Sequence, residues 1–216
     1  FAGVISGTGG LTVTGGTHLL DGASTFTGAT TVTGGVLGGT GSLAGDLVIG
    51  DGGTLDGGAA DAVGTFTVLG GFDLQSGATW VVDISGSDLT SFDALDVTGS
   101  ASLASGSTID VDLSQASGTY IVTGTEFQIL AADGGITDGG VAVDTDSATL
   151  QFYLLESIGV DPEFEDGDTT LSIVANRAQD AFSNPAVVDP GNNRRIGAAL
   201  DQLIPVADAN EGQGEA

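Results

Sequence analysis

The chain contains no cysteine, and it carries only three Lys or Arg residues against 29 Asp and Glu residues. All three basic residues are arginines, and the first of them is Arg177. Nucleic-acid phosphates need cationic partners, so the composition argues against nucleic-acid binding and against docking on an anionic membrane surface. The formal net charge of −26 favours solubility and repulsion between copies, so we predict a monomer.

The absence of cysteine also suits a chain that crosses an oxidising compartment unfolded, where a stray disulfide would lock a loop. No stretch approaches the ~20 apolar residues of a membrane-spanning helix. The sequence begins with Phe1 and shows no signal peptide. We therefore expect an internal segment of a longer, exported protein that works outside the cell.

Glycine is abundant, with 38 residues, and 40% of the chain is hydrophobic, which is too apolar for a disordered polypeptide. Short β-rich runs recur between glycine turns, about 15–20 residues apart, which matches one turn of a stacked solenoid. The runs are "LTVTGG" at 11–16, "TTVTGG" at 30–35, "GDLVIGDGGTL" at 45–55 and "GTFTVLGGFDL" at 64–74. The sequence predicts an all-β fold, a right-handed parallel β-helix, with residues 1–77 as its glycine-rich coils.

Each run alternates apolar residues with Thr or Gly, the period of a strand with one buried face. Leu11 and Val13 are predicted to point into the stack, and Thr12 and Thr14 to face solvent. The glycine pairs are expected at corners, where the backbone takes positive φ.

Residues 78–175 have longer strand runs, less glycine and the one tryptophan, Trp80. Larger side chains are expected where a solenoid closes its open end, so this part is predicted to be a capped, more hairpin-like end of the same stack. Residues 176–216 are predicted to be a linker with a short helix over 193–204, because apolar residues recur there at helical spacing and Pro205 ends the pattern.

Several phrases together resemble the passengers of autotransporters, proteins of type V secretion. "FAGVISGTGGLTVTGGTHLLDGASTFTGATTVTGGVL" is similar to the autotransporter-associated β-strand repeat, and "GTGSLAGDLVIGDGGTLDGG" to its following turn. "VGTFTVLGGFDLQSGATWVVDI" and "FDALDVTGSASLASGSTIDVDL" resemble the C-terminal passenger block. "NNRRIGAALDQL" is similar to the phrase that precedes the membrane barrel.

This resemblance implies the C-terminal end of a β-helical passenger, including the autochaperone or junction region that folds first outside the cell. It implies an outer-membrane barrel and further coils N-terminal to Phe1 as partners, both outside this sequence, and a location at the bacterial cell surface. The acidic insert "DPEFEDGD" at 161–168 departs from the family pattern, which has a shorter turn there.

Three motifs suggest a metal site or a catalytic site, but each has a simpler interpretation. "GGTGSLAGD" at 38–46 begins like a calcium-binding β-roll but has Leu43 where the pattern needs Asp. The acidic residues of 161–168 miss the EF-hand spacing and are interpreted as a solvated loop. His18 has Asp21 nearby but no nucleophile elbow, so we interpret it as a surface residue.

Two pairs of aspartates share a strand face, Asp110 with Asp112 and Asp144 with Asp146, as paired carboxylates do in glycosidases. No lysine is present to stabilise developing charge, so we interpret them as outward strand residues. The sequence therefore predicts no catalytic residue, no metal site and no cofactor. It predicts a structural passenger segment that templates folding and secretion and presents an N-terminal module; the alternatives are an adhesin that binds a host or neighbouring-cell ligand and, third, a polysaccharide-acting enzyme.

Overall fold

The structure is a computed structural model that describes residues 1–58, 62–86, 88, 90–116, 121, 125–144, 155–160, 165 and 167–177. Within these ranges the chain is all-β, as the sequence predicts, and it forms a curled, largely parallel sheet. The described ranges contain a single short 3-10 helix, Ser114–Ala116, and no helix in them is long and apolar enough to cross a membrane.

The strands are short, because a glycine or a turn interrupts nearly every apolar run. Their bounds are β1 Leu11–Leu19, β2 Ala23–Ser24, β3 Thr30–Gly38, β4 Ser42–Leu43, β5 Leu47–Ile49, β6 Gly53–Asp56, β7 Thr65–Val68, β8 Phe72–Leu74, β9 Thr79–Asp83, β10 Ala94–Val97, β11 Ala101–Leu103, β12 Thr108–Asp112, β13 Glu126–Ala132, β14 Ile136–Asp138, β15 Ala142–Asp144, β16 Leu155–Val160 and β17 Thr170–Arg177.

Parallel pairing joins each strand from β4 to β12 to the strand three places further along, which arranges the strands in three columns. The first column contains β5, β8, β11 and β14, the second contains β6, β9, β12 and β15, and the third contains β2, β4, β7, β10 and β13. β3 belongs to two columns, because residues 30–32 pair with β5 and residues 35–38 pair with β6. We call three consecutive strands, one from each column, a layer.

The core consists of ladders of apolar side chains that stack from layer to layer. In the second column Leu37, Leu55, Trp80 and Ile109 follow one another in register, and none of the four is accessible to solvent. Each such side chain contributes about 1.5–3 kcal/mol of burial. The predicted alternation in β1 is confirmed, since Val13 is buried and Leu11 half-buried while Thr12 and Thr14 are exposed.

The predicted spacing of about 15–20 residues between stacked strands holds for the first layers only. Val32 pairs with Ile49, but Leu74 pairs with Leu103, so later layers are longer. Their extra residues lie in the connections between strands, since β9, β10 and β12 remain short.

The glycine pairs lie within strands rather than after them. β1 and β3 continue through their "TGG" phrases into the second column, and the β1–β3 register shifts on both sides of Thr14. The second glycine of each pair, Gly16 and Gly35, has φ of 76° there, so the predicted positive φ is confirmed for one glycine of each pair.

Strand pairing crosses from residues 1–77 into 78–175, since β6 pairs with β9 and β8 with β11. Among the described strands, antiparallel pairing occurs at β17, which pairs with both β13 and β16. The predicted helix over 193–204 and most of the acidic insert lie outside the described residues.

The other end of the stack is formed by β1 and by residues 1–9. β1 pairs with β3 alone, and the carbonyls of Ile5 and Gly7 accept hydrogen bonds from the amides of Thr25 (2.8 Å) and Thr27 (3.2 Å). Phe1 and Val4 are each 63% exposed. Apolar side chains are thus open to solvent at this end of the stack.

Candidate functional site

The aspartates that the sequence singled out lie on the outer face of the second column. Asp110 and Asp112 alternate on β12 with the buried Ile109 and Val111. One Asp112 carboxylate oxygen accepts a hydrogen bond from the Ser114 amide at 2.7 Å, which starts the 3-10 helix. Asp110 pairs in register with Asp144 on β15. Asp146 lies outside the described residues.

His18 is exposed on β1, and its Nε2 lies 3.1 Å from the carbonyl oxygen of Gly15 in the same strand. Its ring therefore contacts the local backbone at the glycine bend. Leu43, in the calcium-like phrase, is fully buried and pairs with Val68. At this position of the phrase the side chain belongs to the core and offers no ligand oxygen.

The structure brings together three other carboxyls, those of Asp56, Asp83 and Asp93. One oxygen of each lies within 4.8 Å of an oxygen of the other two. Asp56 ends β6, Asp83 ends β9, and Asp93 immediately precedes β10. The cluster thus lies where the chain passes from the second column to the third, with Asp56 in one layer and both Asp83 and Asp93 in the next.

Asp93 is the centre of this cluster and has no solvent exposure. One of its carboxylate oxygens accepts a hydrogen bond from the Gly64 amide at 2.7 Å, and the other accepts one from the Asp83 amide at 3.1 Å. The Asp93 amide in turn donates to the Asp83 carbonyl at 2.9 Å. The side chain therefore holds the start of β7 and the end of β9 together.

Burial is the main cause that raises the pKa of the Asp93 carboxyl from 3.8 to about 7, because the charged form loses its hydration. The Asp83 and Gly64 amides stabilise the charged form and oppose this shift, whereas the neighbouring Asp83 and Asp56 charges add to it. Two or three carboxyls this close cannot all be ionised at low cost, so the cluster is arranged to keep a proton.

A cation is the other species that could relieve this repulsion. The cluster is the one group in the described part of the chain with three ligand atoms of this kind close together, and it offers one oxygen from each residue. Calcium takes six to eight oxygen ligands, and both Asp93 oxygens already accept backbone hydrogen bonds. The arrangement favours a bound proton, and we do not assign these residues as metal ligands.

Sequence reasoning missed this cluster because β7 and β8 lie between Asp56 and Asp83, and a connection whose described residues form no strand lies between Asp83 and Asp93. Alternation in "WVVDIS" predicts that Asp83 faces outward between Val82 and Ile84, but the structure buries all three. An acidic residue in a buried strand position requires partners. Nothing in the sequence identified Asp56 and Asp93 as those partners.

An open groove of about 440 Å³ runs along the outer face of the first column, across β5, β8 and β11. Its polar lining consists of carboxyls and hydroxyls, among them Asp46, Asp73, Ser100 and Ser102. Asp46 accepts a hydrogen bond from the Gly71 amide at 2.8 Å, and Asp73 accepts one from the Gln75 side chain at 2.9 Å. The Asp46 carboxylate thus holds the backbone just before β8 in place.

No protein-family model matches the sequence, and no curated protein matches it significantly. Any proposal about function therefore depends on the residues described above.

Proposed function

We propose that the chain is a non-catalytic, structural segment of a secreted autotransporter passenger, wound as a right-handed parallel β-helix. Its C-terminal layers fold first outside the cell and template the rest, and the finished stack presents an N-terminal module at the bacterial surface. The observation that carries the proposal is the stacking of three strand columns over successive layers, with different structures at the two ends.

The columns support the proposal because each layer buries its apolar residues mainly against its two neighbours. Leu55 lies in register between Leu37 and Trp80, for example, and all three are fully buried. A layer on its own would leave these side chains in water, so folding is favourable only on an existing neighbour. This is the physical requirement for templated folding.

The asymmetry of the ends supports the direction of templating. At the C-terminal end β17 crosses antiparallel beside β13, and its Leu171 and Ile173 are fully buried. At the N-terminal end β1 has one neighbouring strand, and Phe1 and Val4 are exposed. An antiparallel strand ends the parallel stacking of the third column, whereas an open strand edge accepts further layers, such as other coils of the passenger.

Two matched cavity variants test the order of folding. Leu37 and Ile109 are both fully buried in the second column, Leu37 in β3 and Ile109 in β12. If the C-terminal layers form the nucleus, Ile109→Ala slows refolding, whereas Leu37→Ala mainly speeds unfolding. Each variant should lose about 2–5 kcal/mol of stability, which is enough for a reliable kinetic comparison. Stopped-flow refolding and unfolding in urea measure both rates.

The reverse outcome, with Leu37→Ala slowing refolding and Ile109→Ala affecting only unfolding, contradicts C-terminal templating.

The proposed role in secretion has its own test in cells that export the full-length protein. Deleting residues 78–175 is expected to leave the passenger unfolded or trapped, measured by protease accessibility at the cell surface. Unchanged surface display would rule this role out.

A further inference from the structure

We propose that Asp56, Asp83 and Asp93 form a proton-dependent clasp between two successive layers, closed while the cluster holds a proton and weakened when it loses that proton. This inference concerns the regulation of stability and does not depend on secretion or on the order of folding. It rests on where the three carboxyls lie and on what Asp93 binds.

The clasp joins segments that are far apart in the sequence. The Asp93 carboxylate accepts hydrogen bonds from the Gly64 amide, just before β7, and from the Asp83 amide, at the end of β9. Backbone hydrogen bonds surround these contacts: the Ala94 amide donates to the Gly64 carbonyl at 3.0 Å, and the Asp93 amide donates to the Asp83 carbonyl. Loosening Asp93 therefore loosens the corner at which β6–β7 and β9–β10 connect.

In the described part of the chain, both charged groups that face Asp93 are acidic. Asp83 faces it from the end of β9 and Asp56 from the end of β6, while the segment between β6 and β7 contributes the glycines Gly57, Gly58 and Gly64 in the described part of the chain. A Cβ at Gly57 would lie 3.3 Å from the Asp93 Cβ, so the glycine backbone packs closely against the side chain. Ionising Asp93 there adds a negative charge beside two others in a site with little water.

The direction of the pH effect follows from proton binding in the two states. The folded chain holds the Asp93 proton up to a pKa of about 7, whereas the unfolded chain releases it near 3.8. The stabilising contribution of this group is therefore complete below pH 3.8, falls as the pH rises between these values, and is lost above about pH 7.

The test compares urea unfolding of the full chain at pH 5, 6, 7 and 8 with that of Asp93→Asn. Asn has the size of Asp but does not ionise. Up to about pH 7 the unfolding equilibrium constant of the native chain should rise about tenfold per pH unit relative to that of Asp93→Asn, the signature of one proton. Asp96→Asn, which removes an exposed carboxyl on β10, is the matched control and should keep the native pH profile.

A second variant keeps the proposal testable if Asp93→Asn does not fold. Asp56→Asn removes one of the two neighbouring charges, so Asp93 should ionise at lower pH. The upper end of the pH range over which stability falls should then shift to lower pH, and the total loss should be smaller. Amide hydrogen exchange at Gly64 and Asp83 should show the same shift, which a purely structural role of Asp56 would not produce.

Three results would overturn the clasp: identical pH profiles for Asp93→Asn and Asp96→Asn, an unchanged profile for Asp56→Asn, or recovery of stability at pH 8 on adding calcium chloride to the native chain and not to Asp93→Asn. The last result would show that the cluster takes a cation in place of the proton.

Discussion

The rings of Phe72 and Trp80 meet edge to face, with their centroids 5.9 Å apart and their planes inclined at 76°. Phe72 starts β8 in the first column, and Trp80 lies on β9 in the second column. The contact therefore packs two columns of one layer against each other across their shared corner. It places the largest side chain of the protein in the middle of the stack, where Leu55 and Ile109 lie above and below it in register.

Removing the indole ring of Trp80 should lower the free energy of unfolding more than almost any other single substitution. Trp80→Ala is expected to lower the free energy of unfolding by about 3–5 kcal/mol, because the cavity lies inside the stack and cannot fill with neighbouring side chains. Equilibrium urea unfolding followed by far-UV circular dichroism measures the loss. Val81→Ala, at a half-buried position of the same strand, is the control and should cost about 1 kcal/mol or less.

Trp80→Phe separates ring packing from the polar part of the indole. The buried Nε1 of Trp80 has no hydrogen-bond partner in the described part of the structure, and such a donor costs about 1–3 kcal/mol. Phenylalanine keeps an aromatic edge for Phe72 and removes this donor, so we expect less than half of the loss seen in Trp80→Ala. An equal loss in the two variants would contradict this account of the contact.

Gly16 and Gly35 allow a matched test of how closely the first layers approach each other. Both close a "TGG" phrase, and both have φ of 76°, so an Ala at either position pays about 1–2 kcal/mol for the left-handed conformation. A Cβ at Gly35 would also lie 2.6 Å from the Gly15 carbonyl carbon, whereas at Gly16 the nearest atom is His18 Nε2, 3.8 Å away. Gly35→Ala should therefore be clearly the more destabilising change in thermal unfolding; equal effects would mean that the two strands separate readily.

The prediction that the protein is a monomer can be tested by varying the salt concentration. The charge of −26 should keep copies apart when the Debye length is ~30 Å, at ~0.01 M salt, and this repulsion is largely screened near 1 M. We expect sedimentation velocity to show a monomer in both conditions. Salt-induced dimers would contradict the monomer and favour the adhesin alternative. Val4→Lys, at an exposed position of the open end, would then show whether that end forms the contact.

The third alternative, an enzyme that acts on polysaccharide, predicts cleavage that depends on Asp110 and Asp112. We expect no such activity from the native chain, and therefore none to lose in Asp110→Asn and Asp112→Asn. The structural role of Asp112 has a separate outcome. Asp112→Ala removes the acceptor of the Ser114 amide and should cost about 1 kcal/mol, whereas Asp112→Asn keeps an acceptor and should cost less. Release of reducing sugar ends by the native chain, abolished in either Asn variant, would revive the enzyme hypothesis.

The sequence by itself determined the local features of this protein. Alternation in "LTVTGG" predicted that Val13 is buried and that Thr12 is exposed, because strand geometry sends successive side chains to opposite faces. The predicted runs "LTVTGG" and "TTVTGG" lie within β1 and β3, and the second glycine of each, Gly16 and Gly35, takes positive φ as expected. These features depend on a few neighbouring residues, so a pattern of a few residues is enough to find them.

Only the tertiary structure decided which segments meet. The longer layers after β6 change the register period, so no fixed repeat could have predicted that Leu74 pairs with Leu103. The same long-range pairing brings together Asp56, Asp83 and Asp93, while the aspartate pairs visible in the sequence remain on the outer face of the strands. A buried charge cluster depends on distances between layers, and those distances are set by how the whole chain packs.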